Sequence, residues 1–85
     1  MSDTLNRYVF IEDQLGCILG YVIRYDKYNA IVTLQALALK SIHNNEWKSI
    51  SKPGIFHIRL TSKTKNVEFY NEYEEFVAKY FAILL

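Results

Sequence analysis

The alternation of apolar and polar positions predicts two long strands joined by a short polar turn within residues 16–39. Both faces of residues 17–25 are largely apolar, which is typical of a central strand or of one curled into a barrel. Gly20 favours a bend or bulge there, because a residue without a side chain lets the backbone coil tightly. Asp26, Lys27, Tyr28 and Asn29 form the predicted turn, since Asp and Asn favour chain reversal.

The pattern of the second segment, residues 30–39, is compatible with either a strand or a helix. A helix with Asn29 as its N-cap is the competing interpretation, because part of the apolar spacing is helical. We favour the strand, since residues 31–33 are Ile-Val-Thr and the preceding strand needs a partner. In that strand one alternating face holds Val32, Leu34, Ala36 and Ala38.

Shorter strands are predicted at residues 7–12, 47–51, 55–61 and 67–70, with a turn at Pro53-Gly54. The pattern at 55–61 is the clearest, with Phe56, Ile58 and Leu60 facing the core. A helix should begin at Asn71, which with Glu74 approximates a capping box. Its apolar residues recur every three or four positions and would pack on the sheet.

These elements predict one α+β domain covering residues 1–85: a small antiparallel five-stranded sheet or barrel followed by a C-terminal amphipathic helix. The chain is 51% apolar with seven Tyr and five Phe, which helps so short a sequence build a core. The longest apolar run is too short to span a bilayer, so we expect no membrane contact. The lone Cys17 excludes an internal disulfide, and the N-terminus lacks the pattern of a secretory signal peptide. We therefore expect a cytoplasmic protein.

Few residues suit catalysis. The sequence has no HExxH, CxxC or GxSxG motif and no phosphate-binding glycine loop. Cys17 with His43 or His57 is the available nucleophile and base, yet Cys17 lies in an apolar strand where cysteine acts as a small hydrophobic residue. One Cys and two His without metal-ligand spacing do not favour zinc. We expect no enzymatic activity, no cofactor and no metal.

Charge and aromatic content indicate binding instead. The net charge of +1 hides a separation, because residues 40–65 are mostly basic and residues 66–80 mostly acidic. Tyr28 and Trp47 are the aromatic residues that packing explains least, and exposed aromatic rings are frequent anchors of binding surfaces. The candidate binding residues are Lys27, Tyr28, Trp47, Lys48, His57, Arg59 and Lys63.

Residues 20–34, GYVIRYDKYNAIVTL, resemble the first signature of the Sm-like family, nearest its bacterial Hfq branch. The similarity covers about residues 9–34, and the family's second signature, an aromatic-Lys-His run, is missing. The resemblance implies an SH3/Sm-like barrel of five strands that forms rings and binds RNA. Tyr28 would then stack on a base and Lys27 would be its polar neighbour.

Two functional hypotheses follow. The first is a small non-enzymatic module that binds a host or cellular protein, as an inhibitor or adaptor of the kind that phages and mobile elements encode. The alternative is an Sm-like module that binds single-stranded RNA through the aromatic turn and the basic segment. An anionic nucleotide held by a homo-oligomer is a further alternative, because small aromatic-rich domains often bury such residues in symmetric assemblies.

Overall fold

A computed structural model of the chain describes residues 7–52 and 54–84, so Pro53 of the predicted turn lies outside the described residues. The predicted strand over residues 30–39 is confirmed. The elements in chain order are β1 (Tyr8–Asp13), β2 (Gly16–Asp26), β3 (Ile31–Ser41), β4 (Trp47–Ser49), β5 (Ile55–Arg59), β6 (Asn66–Tyr70) and α1 (Tyr73–Leu84).

All strand pairs are antiparallel, and the main sheet order is β4-β3-β2-β1-β6. The remaining strand, β5, is not part of this order and also pairs with β3. β5 pairs with Ile31–Gln35 and β4 with Ala38–Lys40, so these two short strands share the edge of β3 that β2 does not occupy. The predicted small antiparallel sheet is thus present, and its six strands lie at the six segments that the sequence pattern marks.

Two irregularities bend the β2–β3 pair. The register shifts between Leu19 and Gly20 and again between Val22 and Arg24. A Cβ atom at Gly20 would lie 2.7 Å from Leu34 Cδ1, so the strands can approach this closely only at glycine. The bend predicted from Gly20 is therefore confirmed.

Because of the register shift at Gly20, the prediction that Ala36 and Ala38 lie on one face of β3 is wrong. Leu19 pairs with Ala38 but Gly20 pairs with Ala36, so Leu37 is an extra residue in β3. Ala36 consequently belongs to one apolar cluster and Ala38 to another, rather than sharing a face. Strict alternation fails here because an inserted residue reverses the side-chain direction beyond it.

The inner face of the bent sheet holds the larger cluster. Tyr25 of β2 lies 5.1 Å from Phe69 of β6, measured between ring centroids, although β1 separates these two strands in the sheet. The sheet thus curls over its own inner face. The buried members of this cluster are Val9, Ile11, Ile18, Val32, Leu34 and Ala36.

The curled sheet does not close, which corrects the SH3/Sm-like barrel alternative. Among the described residues β5 pairs only with β3 and β6 only with β1, so each is held along one edge. Phe56 of β5 pairs with the buried Leu34 and so lies on the core side of the sheet as predicted, but it stays 39% exposed.

Helix α1 covers part of the outer face. Phe76 is fully buried with Leu19 and Ala38, and its ring stacks on Tyr8 at 5.0 Å between centroids. The N-cap lies one residue later than the predicted Asn71, because Phe76 N donates to the carbonyl of Glu72, the residue before the first helical residue, Tyr73. None of the helices described is long and apolar enough to cross a membrane.

Candidate functional site

The turn between β2 and β3 holds the most exposed aromatic ring of the predicted site. Asp26 Oδ1 accepts hydrogen bonds from the amides of Tyr28 (3.0 Å) and Asn29 (3.2 Å), and Asn29 Nδ2 donates to Asp26 Oδ2 (2.8 Å). These bonds, led by that of the Asn29 side chain, lower the pKa of Asp26. Tyr28 itself is 100% exposed. A hydrogen-bonded turn therefore presents a ring that packing does not use.

Arg59 lies beside this turn. Ile31 pairs with Asp26 on one side and with Arg59 on the other, and Leu60 N donates to the Ala30 carbonyl at 2.7 Å. We call Lys27, Tyr28 and Arg59 the turn surface. Glu68 and Lys79 form the only ion pair found among residues 7–52 and 54–84, so Lys27 and Arg59 have no intramolecular carboxylate partner there.

The next row of the same sheet face adds two polar groups. Thr33 pairs with Arg24 on β2 and with His57 on β5, and its hydroxyl shares a 2.9 Å hydrogen bond with His57 Nδ1. His57 and Arg59 lie on one face because they are two residues apart in a strand. The structure thus brings together four of the predicted residues, Lys27, Tyr28, His57 and Arg59.

Trp47 and Lys48 lie elsewhere. They pair with Lys40 and Leu39 at the far end of β3, roughly 25–30 Å along the strand from Ile31. Trp47 is half-buried, 6.5 Å from Phe10 between centroids, and Lys40 Nζ lies 5.6 Å from the Trp47 ring centroid. Packing under α1 accounts for this tryptophan.

Lys63 lies in the connection between β5 and β6. Its amide donates to Thr61 Oγ1 at 3.1 Å, and Thr61 N donates to Thr64 Oγ1, so the backbone of this turn is well fixed. The Lys63 side chain is exposed, four residues after Arg59. Its positive charge therefore lies in the β5–β6 connection, just after Arg59 in the chain.

Sequence reasoning missed Arg24 and Ile23. Ile23 is the extra residue of the second bulge and is 51% exposed, although its strand looks apolar on both faces. Arg24 and His57 lie in one row of the sheet only because both pair with Thr33, and no local sequence pattern shows this register. The one available signal was a charged residue inside an apolar strand.

Concave regions also lie on the part of the molecule that the structure describes. A cleft of about 310 Å³ opens on the inner face near the β1–β2 hairpin, and its walls include Ile11, Ile18 and Phe56. A larger groove of about 470 Å³ lies between α1 and the outer face of the sheet. We call it the helix groove, and it is lined by Tyr8, Tyr21, Gln35, Leu37, Ser49, Ile50, Tyr73 and Leu84.

Burial and hydrogen bonds shift the pKa values of several titratable groups away from the turn. Burial raises the pKa of the Cys17 thiol, which keeps it protonated at neutral pH. The Tyr70 hydroxyl donates to Glu68 Oε1 at 2.5 Å and is the main cause of the lowered pKa of Glu68. Burial raises the pKa of Tyr80, whose hydroxyl lies 3.4 Å from that of Tyr70. Three or more potential metal-ligating side chains do not cluster anywhere in the part of the chain that the structure describes.

A comparison with known proteins finds no matching family model, no matching curated protein and no matching solved structure.

Proposed function

We propose that this chain is a small non-enzymatic protein-binding module that docks a cellular protein through the turn surface. Full exposure of Tyr28 on a hydrogen-bonded turn is the observation that carries the proposal. An aromatic ring offers a large contact area, and a turn already fixed by Asp26 loses little conformational entropy on binding. Such a module is an inhibitor or adaptor of the kind that phages and mobile elements encode, and we place it in the cytoplasm.

The charges beside Tyr28 indicate the chemistry of the partner. Lys27 lies in the turn and Arg59 in the strand beside it, and neither forms an ion pair among residues 7–52 and 54–84, whereas Asp26 accepts several hydrogen bonds from the turn. A partner with a pocket for the Tyr28 ring and acidic residues around that pocket would complement this surface. The cations would then act mainly on partner choice and association rate, and the ring on dissociation.

The test is affinity capture with matched variants. Tyr28→Ala should leave stability within about 0.5 kcal/mol of wild type, because the ring touches nothing, yet should weaken partner binding by about 2 kcal/mol or more, a factor of roughly 30. Phe81→Ala is the control, since Phe81 is another exposed aromatic residue at 60% exposure, located on α1. Denaturation curves and titration of the captured partner provide the two measurements.

Two results would contradict the proposal. One is a partner bound equally well by wild type and by Tyr28→Ala. The other is the absence of any stoichiometric protein partner from cell extract at low salt. Loss of capture by Phe81→Ala as well as Tyr28→Ala would indicate that the surface is misplaced.

The second candidate function is binding of single-stranded RNA, in line with the resemblance to the Sm-like family. The exposed Tyr28 ring next to Lys27 favours it, because base stacking on an exposed ring contributes roughly 1–3 kcal/mol per base. Fluorescence anisotropy with short RNA oligomers should then show salt-sensitive binding that Tyr28→Ala weakens. No binding at low salt would exclude this candidate and leave the protein-binding proposal intact.

A further inference from the structure

Strand β5 has a free edge. It pairs with β3 along one side, and no other strand of the described residues pairs with it. Four of its five residues are exposed, including Ile55 at 53% and Phe56 at 39%. The other end strands differ, because β4 has only three residues and β6 is mostly half-buried next to α1. An exposed edge strand with apolar residues is a template for pairing with another extended chain.

The hydrogen bonds at the two ends of β5 show which of its backbone groups point away from β3. Ala36 N donates to the Gly54 carbonyl at 2.9 Å. Leu60 N donates to the Ala30 carbonyl at 2.7 Å, and the register between these two bonds is unbroken. The even-numbered residues of β5 therefore bond to β3, and the odd-numbered residues direct their amide and carbonyl groups to the free edge. These are Ile55, His57 and Arg59, whose backbone groups form no hydrogen bond among residues 7–52 and 54–84.

The two faces of β5 differ in chemistry. Phe56 and Ile58 lie on the core side, where they line the cleft of about 310 Å³ together with Ile18 of β2. On the other face, Arg59 forms no ion pair within the described ranges. Asp26, which lies in the same row of the sheet, already accepts hydrogen bonds from the turn. Because side chains alternate along a strand, a strand added at the free edge would have one set beside Phe56 and the other beside Arg59.

We propose that the protein partner pairs an extended segment with the free edge of β5, as a further strand of the sheet. An extended chain fits because its regularly spaced amide and carbonyl groups complement those of Ile55, His57 and Arg59. The apolar residues of the segment, at every second position, cover Phe56 on the side of the cleft. A carboxylate between two of them pairs with Arg59.

This inference rests on the proposed function and states how the partner binds. Arg59 belongs both to the turn surface and to the free edge, so the two surfaces are continuous. A partner segment paired with β5 ends next to the turn that carries Tyr28, because Leu60 is bonded to Ala30 at the end of that turn. The ring and the edge can therefore bind neighbouring parts of one partner.

Proline at an outward-facing amide tests the backbone pairing. His57→Pro removes an N–H that points away from β3, so the hydrogen bonds within the sheet stay intact. His57→Ala is the matched control, since both variants lose the 2.9 Å bond to Thr33 but alanine keeps the amide. We expect His57→Pro to bind about tenfold more weakly than His57→Ala, because a strand hydrogen bond is lost and its acceptor stays unpaired. Should circular dichroism show that His57→Pro is unfolded, Ile55→Pro and Ile55→Ala form the second pair.

The probe is a synthetic peptide of alternating Val and Glu with blocked ends. Its control has the same composition, with the Val and the Glu residues in two separate blocks. NMR titration of the intact chain should show tighter binding of the alternating peptide, and Arg59→Gln should weaken it about threefold, as expected for one exposed ion pair. Bound peptide should slow hydrogen exchange at the amides of Ile55, His57 and Arg59. The amides of Phe56 and Ile58 should already be protected in the free chain.

Equal peptide binding by His57→Pro and His57→Ala would overturn the inference, as would equal binding of the two peptides. No binding of the alternating peptide at millimolar concentration would also overturn it. Protection of the three outward amides in the free chain as its concentration rises would mean that a second copy occupies the edge instead.

The same variants separate this inference from the proposed function. A protein partner that depends on Tyr28, yet binds His57→Pro and His57→Ala equally, would overturn only the strand pairing. Peptide bound at β5, without any protein partner that depends on Tyr28, would contradict the proposed function and leave the edge as a site for extended segments.

Discussion

A methyl group at Gly20 would lie 2.7 Å from Leu34 Cδ1 and 3.0 Å from the Gln35 carbonyl oxygen. Leu34 is fully buried in the inner cluster and cannot move away without disturbing it. We expect Gly20→Ala to lower the free energy of unfolding by about 1–3 kcal/mol, because overpacking a dense core forces such shifts. Urea denaturation measures the difference.

Gly54→Ala is the matched control for Gly20→Ala. A Cβ atom at Gly54 would lie 3.4 Å from Phe56 Cε1, an ordinary contact with a side chain that is 39% exposed. This control should stay close to wild type. Equal stability of wild type and Gly20→Ala would mean that the strands do not approach as closely at Gly20 as described here.

Glu68 links stability to pH. Its pKa is lowered first by the hydrogen bond from Tyr70, so the folded state favours the charged carboxylate. The stabilisation is therefore present above the pKa of the unfolded chain, about 4.3, and is lost as pH falls through the lower folded value. The effect is modest because the Glu68 side chain is 36% exposed and solvent screens it.

A pH series tests this linkage. Below about pH 4.3 the urea midpoint of wild type should fall more steeply than that of Glu68→Gln, which has no carboxylate to protonate. Glu46→Gln, at an exposed position before β4, should keep the wild-type profile. Parallel profiles for wild type and Glu68→Gln would contradict the link between Glu68 and Tyr70.

The helix is held on the sheet mainly by Phe76. The ring is fully buried and contacts Tyr8, Tyr70 and Tyr80 at centroid distances of 5.0–5.6 Å. Phe76→Ala should therefore cost about 3–5 kcal/mol of unfolding free energy, as large-to-small substitutions in cores do. Urea denaturation of the variant measures the loss.

Phe81→Ala on the same helix is the control, because Phe81 is 60% exposed. It should change the unfolding free energy by less than about 0.5 kcal/mol. A similar loss for both variants would mean that α1 packs on the sheet through a different face.

Elements with strong local patterns were predictable from the sequence, and their three-dimensional arrangement was not. The hairpin of β2 and β3 follows from apolar alternation, the turn residues and Gly20, and α1 follows from its apolar spacing. Gly20 marks where the first bulge lies, but no local pattern shows that the extra residue is Leu37 of β3, which separates Ala36 from Ala38. The helix start moved because the backbone bond from Phe76 to Glu72, rather than the predicted Asn71 cap, fixes it.

The candidate site was predictable in part for the same reason. Tyr28 and Lys27 lie in a turn that the sequence marks with Asp26 and Asn29, and both are exposed there. Arg59 reaches that turn only because β5 pairs with the first half of β3. Trp47, a candidate binding residue in the sequence analysis, packs under α1 instead, because β4 pairs with the second half of β3.

At the scale of the whole molecule, the open sheet divides the surface into regions that are covered to different extents. The inner face is curled into the larger apolar cluster, and α1 covers one part of the outer face. No element of the described residues lies over the rest of the outer face, which is formed by β2, β3 and β5 and carries Arg24, His57 and Arg59. Coverage by one helix thus leaves both the turn surface and the helix groove exposed.

Amide hydrogen exchange of the intact chain, with and without its captured protein partner, tests the central claim most directly. We predict that binding slows exchange in residues 26–31 and 57–60, the two segments that contain the turn surface. Protection confined to α1 or to the inner-face cleft, with residues 26–31 unchanged, would contradict the claim that this protein binds its partner through Tyr28.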